Sequence, residues 1–293
     1  MKTAIIALTR GYPNDRSLYS DLIKRNDSIF SKINKYRKTP SDIILFHEGN
    51  ISVDDQEYIN SHSKNLIKFV DVSKYFKKNE LTLKDRQFNL GYRQMCRFNM
   101  YYIWNEVAEY DYILRIDEDI EIINIDPYIF EYMESKKIKF LTGRFSKEIH
   151  KITNQTLPDF LIKNTKLNVK KIYNHRFPYT NLYATSVSFW NKKNIQKIIK
   201  TIALNDDQII NRWGDIPVLG IILNNFNGGF KLFRKLEYRH ISHDLTIKNN
   251  KIRNITVNSK FNPISVDENI FKKLKIRIKG KFKRNNKFGY DNN

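Results

Sequence analysis

The sequence predicts an α/β protein, and two observations carry that expectation. Short apolar runs rich in β-branched residues recur at Thr3–Thr9, Asp42–His47, Leu66–Val72, Tyr110–Ile116 and Lys137–Thr142. Segments of helical apolar spacing lie between several of them, and alternation of this kind builds a sheet covered by helices. The 293 residues are 41% hydrophobic and 13% aromatic, enough for a sizeable core, and the 28% charged fraction is that of an ordinary soluble domain rather than a disordered chain.

The first run, in MKTAIIALTRG, has five apolar residues from Ala4 to Leu8, too short for the core of a signal peptide, and reads as a first strand. It enters a Gly-Tyr-Pro-Asn turn and then a helix that Asp15 or Ser17 is placed to cap. A long helix is expected from Gly91 to Val107, with Tyr92, Met95, Cys96, Tyr102 and Ile103 broadly on one apolar stripe. Asp126-Pro127 reads as an N-cap followed by proline at the first helical position, opening a short helix in PYIFEYMESKK. Asp215 stands similarly before Ile216-Pro217 and an apolar helix. Beyond residue 245 the strand–helix rhythm is lost and the chain turns basic and Asn-rich, so residues 1–245 are expected to form the domain and 246–293 an appendage.

The formal charge of +21 favours an anionic partner but says nothing about fold. Nine Lys or Arg residues lie between Lys272 and Lys287, interleaved with Ile, Leu and Phe. That pattern suits contact with an anionic membrane leaflet, at about 1 kcal/mol per basic residue, and equally a solvated terminus. Few aromatics in the tail and no recognisable nucleic-acid-binding motif argue against RNA or DNA as the partner. The single cysteine, Cys96, excludes an intrachain disulfide and a multi-cysteine zinc cage, which fits a reducing compartment. No apolar stretch approaches the roughly 20 residues that cross a bilayer. The expected protein is cytoplasmic, with peripheral membrane contact through Lys272–Lys287.

Chemistry is expected where YDYILRIDEDIEI leaves its strand. The two-residue period of an extended chain would point Asp117 and Asp119 to one side and Glu118 to the other. Two carboxylates on one side can hold a hard divalent cation and leave positions for phosphate oxygens, and ligands of open α/β sheets collect beyond strand ends. The same residues also describe a solvated acidic turn. Asp215 has an equally plain account as a helix cap, worth about 1 kcal/mol. His240 and His243 are spaced so that a strand would turn them to opposite faces, leaving His240 to join the acids on its own. By composition alone, Tyr92 is a helix tyrosine and Arg97 a surface or salt-bridged arginine.

In order, YRQMCRF (92–98), YDYILRIDED (110–119), RWGDIPV (212–218) and EYRH (237–240) resemble the fungal α-1,2-mannosyltransferases of glycosyltransferase family 15. The resemblance spans roughly residues 1 to 245. It implies a GT-A fold with a single Rossmann-like mixed sheet, GDP-mannose as donor, Mn²⁺ (or Mg²⁺) as cofactor, and transfer of mannose with retention to a hydroxyl of a glycan acceptor. It also implies site residues: Asp117 and His240 as metal ligands with Asp119 beside them, Tyr92 near the reacting carbon, Asp215 as the acid of the RWGD box, and Arg10, Arg97 and Arg115 on the donor side. Where the family has Asn-Phe-Glu, with a candidate nucleophile, this chain reads Asn181-Leu182-Tyr183, which sets Tyr183 among the expected catalytic residues in place of that carboxylate and implies front-face attack with the departing diphosphate as proton acceptor. The competing expectations are a transferase for another nucleotide sugar and a non-catalytic basic protein, binding nucleic acid or membrane, on the same scaffold.

Overall fold

The computed structural model describes residues 1–76, 81–84, 88–168, 176–226, 229–243, 245–248 and 251–254. Its strands are β1 (Thr3–Thr9), β2 (Asp42–His47), β3 (Ile67–Asp71), β4 (Tyr112–Ile116), β5 (Ile120–Ile125), β6 (Phe140–Thr142), β7 (Phe145–Ser146), β8 (Phe177–Pro178), β9 (Leu182–Ser186), β10 (Lys231–Leu232), β11 (Leu236–His240), β12 (Leu245–Lys248) and β13 (Lys251–Asn254). Among the described residues the main sheet has seven strands in the order β10-β6-β9-β4-β1-β2-β3. Strands β3, β2, β1 and β4 are parallel, and β9 runs antiparallel between β4 and β6. The expected mixed sheet is present. A second, antiparallel sheet of order β13-β12-β11-β5 accompanies it, which a single-sheet expectation did not include.

The central strands are buried on both faces, which is why they read as unbroken apolar runs. Along β1, Ala4 and Ile6 join Phe46, Ile113, Trp104 and Trp190 in one core. Ile5 and Ala7 join Leu45, Leu114, Leu22 and Phe130 in the other. Trp104 and Trp190 stack with ring centroids 4.8 Å apart, and the Trp104 indole donates to the Met100 carbonyl at 2.8 Å. Burying side chains of this size stabilises the fold by about 1.5–3 kcal/mol each.

The helix expected over 91–107 starts at Leu90, where the Asn89 side chain accepts from the Tyr92 amide at 2.9 Å. It widens into a π turn over Phe98–Tyr102 before finishing as Ile103–Glu106, a local widening that recurs at functional sites. Asp15 does cap the short helical turn Arg16–Tyr19 that leads into the helix Ser20–Lys32. Two other caps differ from expectation. Asp126 accepts from the Tyr128 amide in a turn, and the helix begins later, at Ile129. Gly214 occupies the N-cap of the helix Asp215–Asn225, so Asp215 is its first residue; its Oδ1 accepts from the Ile216 amide at 3.1 Å, which leaves Oδ2 for another partner. That helix packs closely on β8: a Cβ on Gly220 would lie 2.3 Å from the Phe177 ring.

The boundary expected at 245 falls inside the second sheet, because β12 and β13 pair with each other and β12 with β11. The basic segment Lys272–Lys287 lies outside the described residues.

Candidate active site

β1 and β4 are adjacent and parallel, so their C-terminal ends open at one edge of the sheet, where β9 begins alongside. β4 stops at Ile116, and the three acids occupy the turn to β5, closed by the Ile120 amide donating to the Asp117 carbonyl at 3.2 Å. The turn is tied to β9 by the Asp117 amide, which donates to the Asn181 carbonyl at 2.9 Å. The acids are therefore both the turn that the sequence allowed and the wall of a cavity. Since they are not extended, strand alternation does not apply, and Glu118 does not face away. Its carboxylate accepts from the Thr9 hydroxyl (2.7 Å), the Arg10 amide (3.1 Å) and the Arg10 Nε (2.7 Å), pinning the turn to the end of β1.

The cavity, about 260 Å³, is lined by Arg10, Tyr92, Arg115, Asp117, Asp119, Asp215 and His240, with Glu118, Tyr179, Asn181 and Ile216 among the others. At its floor the buried Arg115 guanidinium spans two carboxylates, donating from Nη2 to Asp117 at 2.8 Å and from Nη1 to Asp215 at 3.1 Å. Burial opposes its charge, but Asp117, Tyr183 and Asp215 outweigh that and raise its pKa. Across the turn, β11 brings His240 Nε2 to 3.1 Å from Asp119 Oδ2, and the Ser242 hydroxyl donates to the same oxygen. Burial pushes the Asp117 carboxyl up to about 6 against the pull of Arg115, with Asp119 and Asp215 adding to the rise. Burial acts on Asp119 too, yet the His240 and Ser242 contacts hold it below its ordinary range. Tyr92, beside Cys96, partly buried and near Asp215, has its pKa raised and stays a neutral phenol.

Two residues expected at the site are elsewhere. Arg97 bonds Gln208 Oε1 at 2.8 Å and the Asn205 carbonyl at 3.5 Å, away from the cavity. Five residues along a helix turn a side chain by about 140°, so Tyr92 and Arg97 cannot share its floor. Tyr183 is fully buried within the sheet, its ring stacked on Phe140 at 4.8 Å and 5.8 Å from the Arg115 guanidinium. Its hydroxyl and Arg115 Nε are both buried without a hydrogen-bond partner. It is not among the residues that line the site cavity.

Three contributors were missed. Arg25, fully buried, donates to the Ile116 carbonyl from Nε (3.1 Å) and Nη2 (2.9 Å), and from Nη2 to the Ile6 carbonyl (3.1 Å), tying the end of β4 to the middle of β1 behind the acids. Glu148 and Arg212 pair beside Tyr92. Arg212 stands in the RWGD box, which was a usable signal; nothing local marks Arg25 or Glu148.

As to a metal, among the described residues no three His, Cys, Asp or Glu side chains are gathered to enclose an ion. What exists is a two-donor edge of Asp119 and His240, with Asp117 next to it and engaged by Arg115. Such a set fits a cation that completes its shell with diphosphate oxygens.

The mixed sheet, with its cavity at the strand ends, has the GT-A fold of the solved structures it matches. The described fold matches core-mannan synthase A of Aspergillus fumigatus, solved in a Mn/GDP form, with a TM-score of 0.69 at 18% identity over 90% of this chain and 80% of that one. It matches the mannosyltransferase Ktr4p of S. cerevisiae with a TM-score of 0.68 at 17% identity over 89% and 77%. In sequence the chain is similar to fungal mannosyltransferases, as its four motif blocks suggested. It is 27% identical to glycolipid 2-alpha-mannosyltransferase 1 of Candida albicans over 52% of this chain and 40% of that protein. It is 24% identical to O-glycoside alpha-1,2-mannosyltransferase omh1 of Schizosaccharomyces pombe over 51% and 44%. The matched region thus spans less than half the length of these curated relatives. No family model matches the chain.

Proposed function

We propose that this chain is a retaining, metal-dependent glycosyltransferase that moves mannose from GDP-mannose to a hydroxyl of a glycan acceptor. One observation carries the reading: seven residues widely separated in sequence, Arg10, Tyr92, Arg115, Asp117, Asp119, Asp215 and His240, line one cavity at the carboxyl ends of β1 and β4, the place where open α/β sheets take ligands.

Asp119 and His240, with Asp117 beside them, would hold the cation, and the imidazole favours Mn²⁺ over Mg²⁺. When bound, the metal neutralises the diphosphate as it departs. Arg10, with its side chain 69% exposed at the rim, is free to swing from Glu118 to a phosphate. Arg115 holds Asp117 and Asp215 in fixed positions, so the floor is preorganised before substrate arrives. Tyr92 is a neutral hydroxyl donor beside Asp215. Because Tyr183 offers no carboxylate and Asp215 is committed to Arg115, retention is assigned to front-face attack: the acceptor oxygen bonds to the anomeric carbon on the side that the diphosphate leaves, and a diphosphate oxygen takes the acceptor proton. Among the described residues no helix is long and apolar enough to cross a membrane, and a cytoplasmic enzyme held at a leaflet by Lys272–Lys287 is part of the proposal.

Calorimetric titration of GDP-mannose with and without Mn²⁺ tests the reading. Binding that requires Mn²⁺, with slow release of mannose, is expected; absence of binding in both titrations overturns it.

A further inference from the structure

On the side of the main sheet opposite the helix Ser20–Lys32 lies a cavity of about 530 Å³ that shares no lining residue with the donor cavity. The end of the helix Lys151–Asn164 and the turn after it give it Lys163 and Lys166; the helix Lys193–Ala203 gives it Lys197, Ile198 and Thr201. Phe226 closes it and also caps the helix Asp215–Asn225, whose first residue lines the donor cavity. The length of that helix, about 16 Å at 1.5 Å per residue, therefore separates the two cavities.

The charge around this cavity has one sign. From Phe160 to Asn205 the chain has nine Lys or Arg residues and no Asp or Glu, and no acidic residue lines the cavity. Among the described residues the lysines that meet a carboxylate are Lys2, Lys24, Lys74 and Lys248, so Lys163, Lys166 and Lys197 keep their charge uncompensated. A helix C-terminus favours cations, which accounts for Lys163. Lys197 stands in the middle of its helix, where no helix end explains it. That helix buries Ile195, Ile199 and Ile202 in the core and leaves Lys193, Lys197 and Lys200 exposed. Apolar surface accompanies the charge. Ile198 and Phe226 are partly buried and pack on the core beneath the lysines. Ile162, next to Lys163, is 62% exposed, and Leu204, one helical turn beyond Thr201, is 46% exposed.

We infer that this cavity and the aliphatic residues beside it dock the protein on an anionic membrane leaflet, with the phosphate of an acidic phospholipid headgroup held among Lys163, Lys166 and Lys197. The inference depends neither on the transferase reading nor on Lys272–Lys287. A basic face that is merely solvated needs no cavity and no exposed Ile and Leu. A headgroup phosphate takes the ammonium groups, the lysine stems and the Ile198–Phe226 floor cover the carbon atoms next to it, and Ile162 and Leu204 enter the interface alongside. Nucleic acid fits less well: Phe226, the one ring among the described lining residues, is partly buried and offers no platform for successive bases. Docking here leaves the donor cavity, at the other end of the helix Asp215–Asn225, uncovered.

The test uses the full chain and vesicles of phosphatidylcholine with or without phosphatidylserine, with binding read by co-sedimentation. The parent is expected to bind only the vesicles that contain phosphatidylserine. The triple variant Lys163→Gln, Lys166→Gln, Lys197→Gln should lose about a hundredfold in affinity, at about fivefold for each basic residue near the leaflet. A control triple variant, Lys32→Gln, Lys35→Gln, Lys38→Gln, removes the same charge from exposed positions at the other face of the sheet and should stay within threefold of the parent. Ile162→Ser with Leu204→Ser keeps the charge and should cost about tenfold through lost apolar contact. All variants retain Lys272–Lys287, so a difference between the two triple variants belongs to the cavity. Equal losses in those two show a response to net charge alone and overturn the site. Displacement of the parent by millimolar inorganic phosphate at constant ionic strength overturns it in favour of a free anion, and tighter binding of a single-stranded oligonucleotide that the cavity variant loses overturns it in favour of nucleic acid. Failure of the parent to bind the phosphatidylserine vesicles overturns it outright.

Discussion

The Arg115–Asp215 pair at the cavity floor predicts a large, non-additive stability effect. Both residues are 4% exposed, and their charged atoms meet at 3.1 Å. Replacing Asp215 by Ala leaves Nη1 of a buried guanidinium without a partner, and breaking a buried pair from one side costs about 3–5 kcal/mol. Here the lower end applies, about 3 kcal/mol, because Nη2 keeps Asp117, whose side chain is 31% exposed and partly wet. Asp215→Asn retains an oxygen for Nη1 and loses only the charge, an expected cost of about 1–2 kcal/mol. Arg115→Met in the Asp215→Ala background removes the stranded charge and supplies apolar volume, so the double variant should be more stable than Asp215→Ala alone by about 2 kcal/mol. Urea unfolding followed by tryptophan fluorescence measures this, since Trp104, Trp190 and Trp213 are all buried. Coincidence with the far-UV circular dichroism transition justifies two-state treatment. Additivity of the two single changes within about 0.5 kcal/mol would refute a coupled buried pair.

Three further outcomes follow from the geometry. Gly220→Ala places a Cβ 2.3 Å from the Phe177 ring; the gain in helix propensity, about 1 kcal/mol, is outweighed by overpacking of about 1–3 kcal/mol, so a lower Tm is expected and a higher one would contradict the packing. Asp117, raised to about 6, holds its proton at a pH where an ordinary carboxylate has lost it, and a protonated carboxyl is a poor metal ligand. Affinity for GDP with Mn²⁺ should therefore rise as pH climbs through about 6 and level off above it, and calorimetry from pH 5 to 8 giving a flat profile for the parent would exclude that role. Arg25→Met strands the Ile116 and Ile6 carbonyls, at about 1–3 kcal/mol for each buried group left unpaired, and is expected to lower the urea midpoint; an unchanged midpoint would show that the brace is dispensable.

Sequence pattern alone determined what depends on near neighbours. β1 and β2 lie where their apolar runs end, at Thr3–Thr9 and Asp42–His47, because a strand buried on both faces carries that fact in consecutive residues. The strand running into Asp117, Glu118 and Asp119 was equally plain, and the ordered motif blocks pointed to Tyr92, Asp215 and His240 before any contact was known. Tertiary structure decided the rest, since a contact between distant residues leaves no local periodicity. Glu118 turns to Arg10 because the acids form a tight turn beside β1. Arg97 leaves the site because a helix carries it round the axis from Tyr92. Tyr183 is enclosed because β9 lies between β4 and β6. Arg25 braces the acids from behind, and Glu148 meets Arg212 beside Tyr92; both depend on where the chain crosses itself, and no short window of sequence contains both partners.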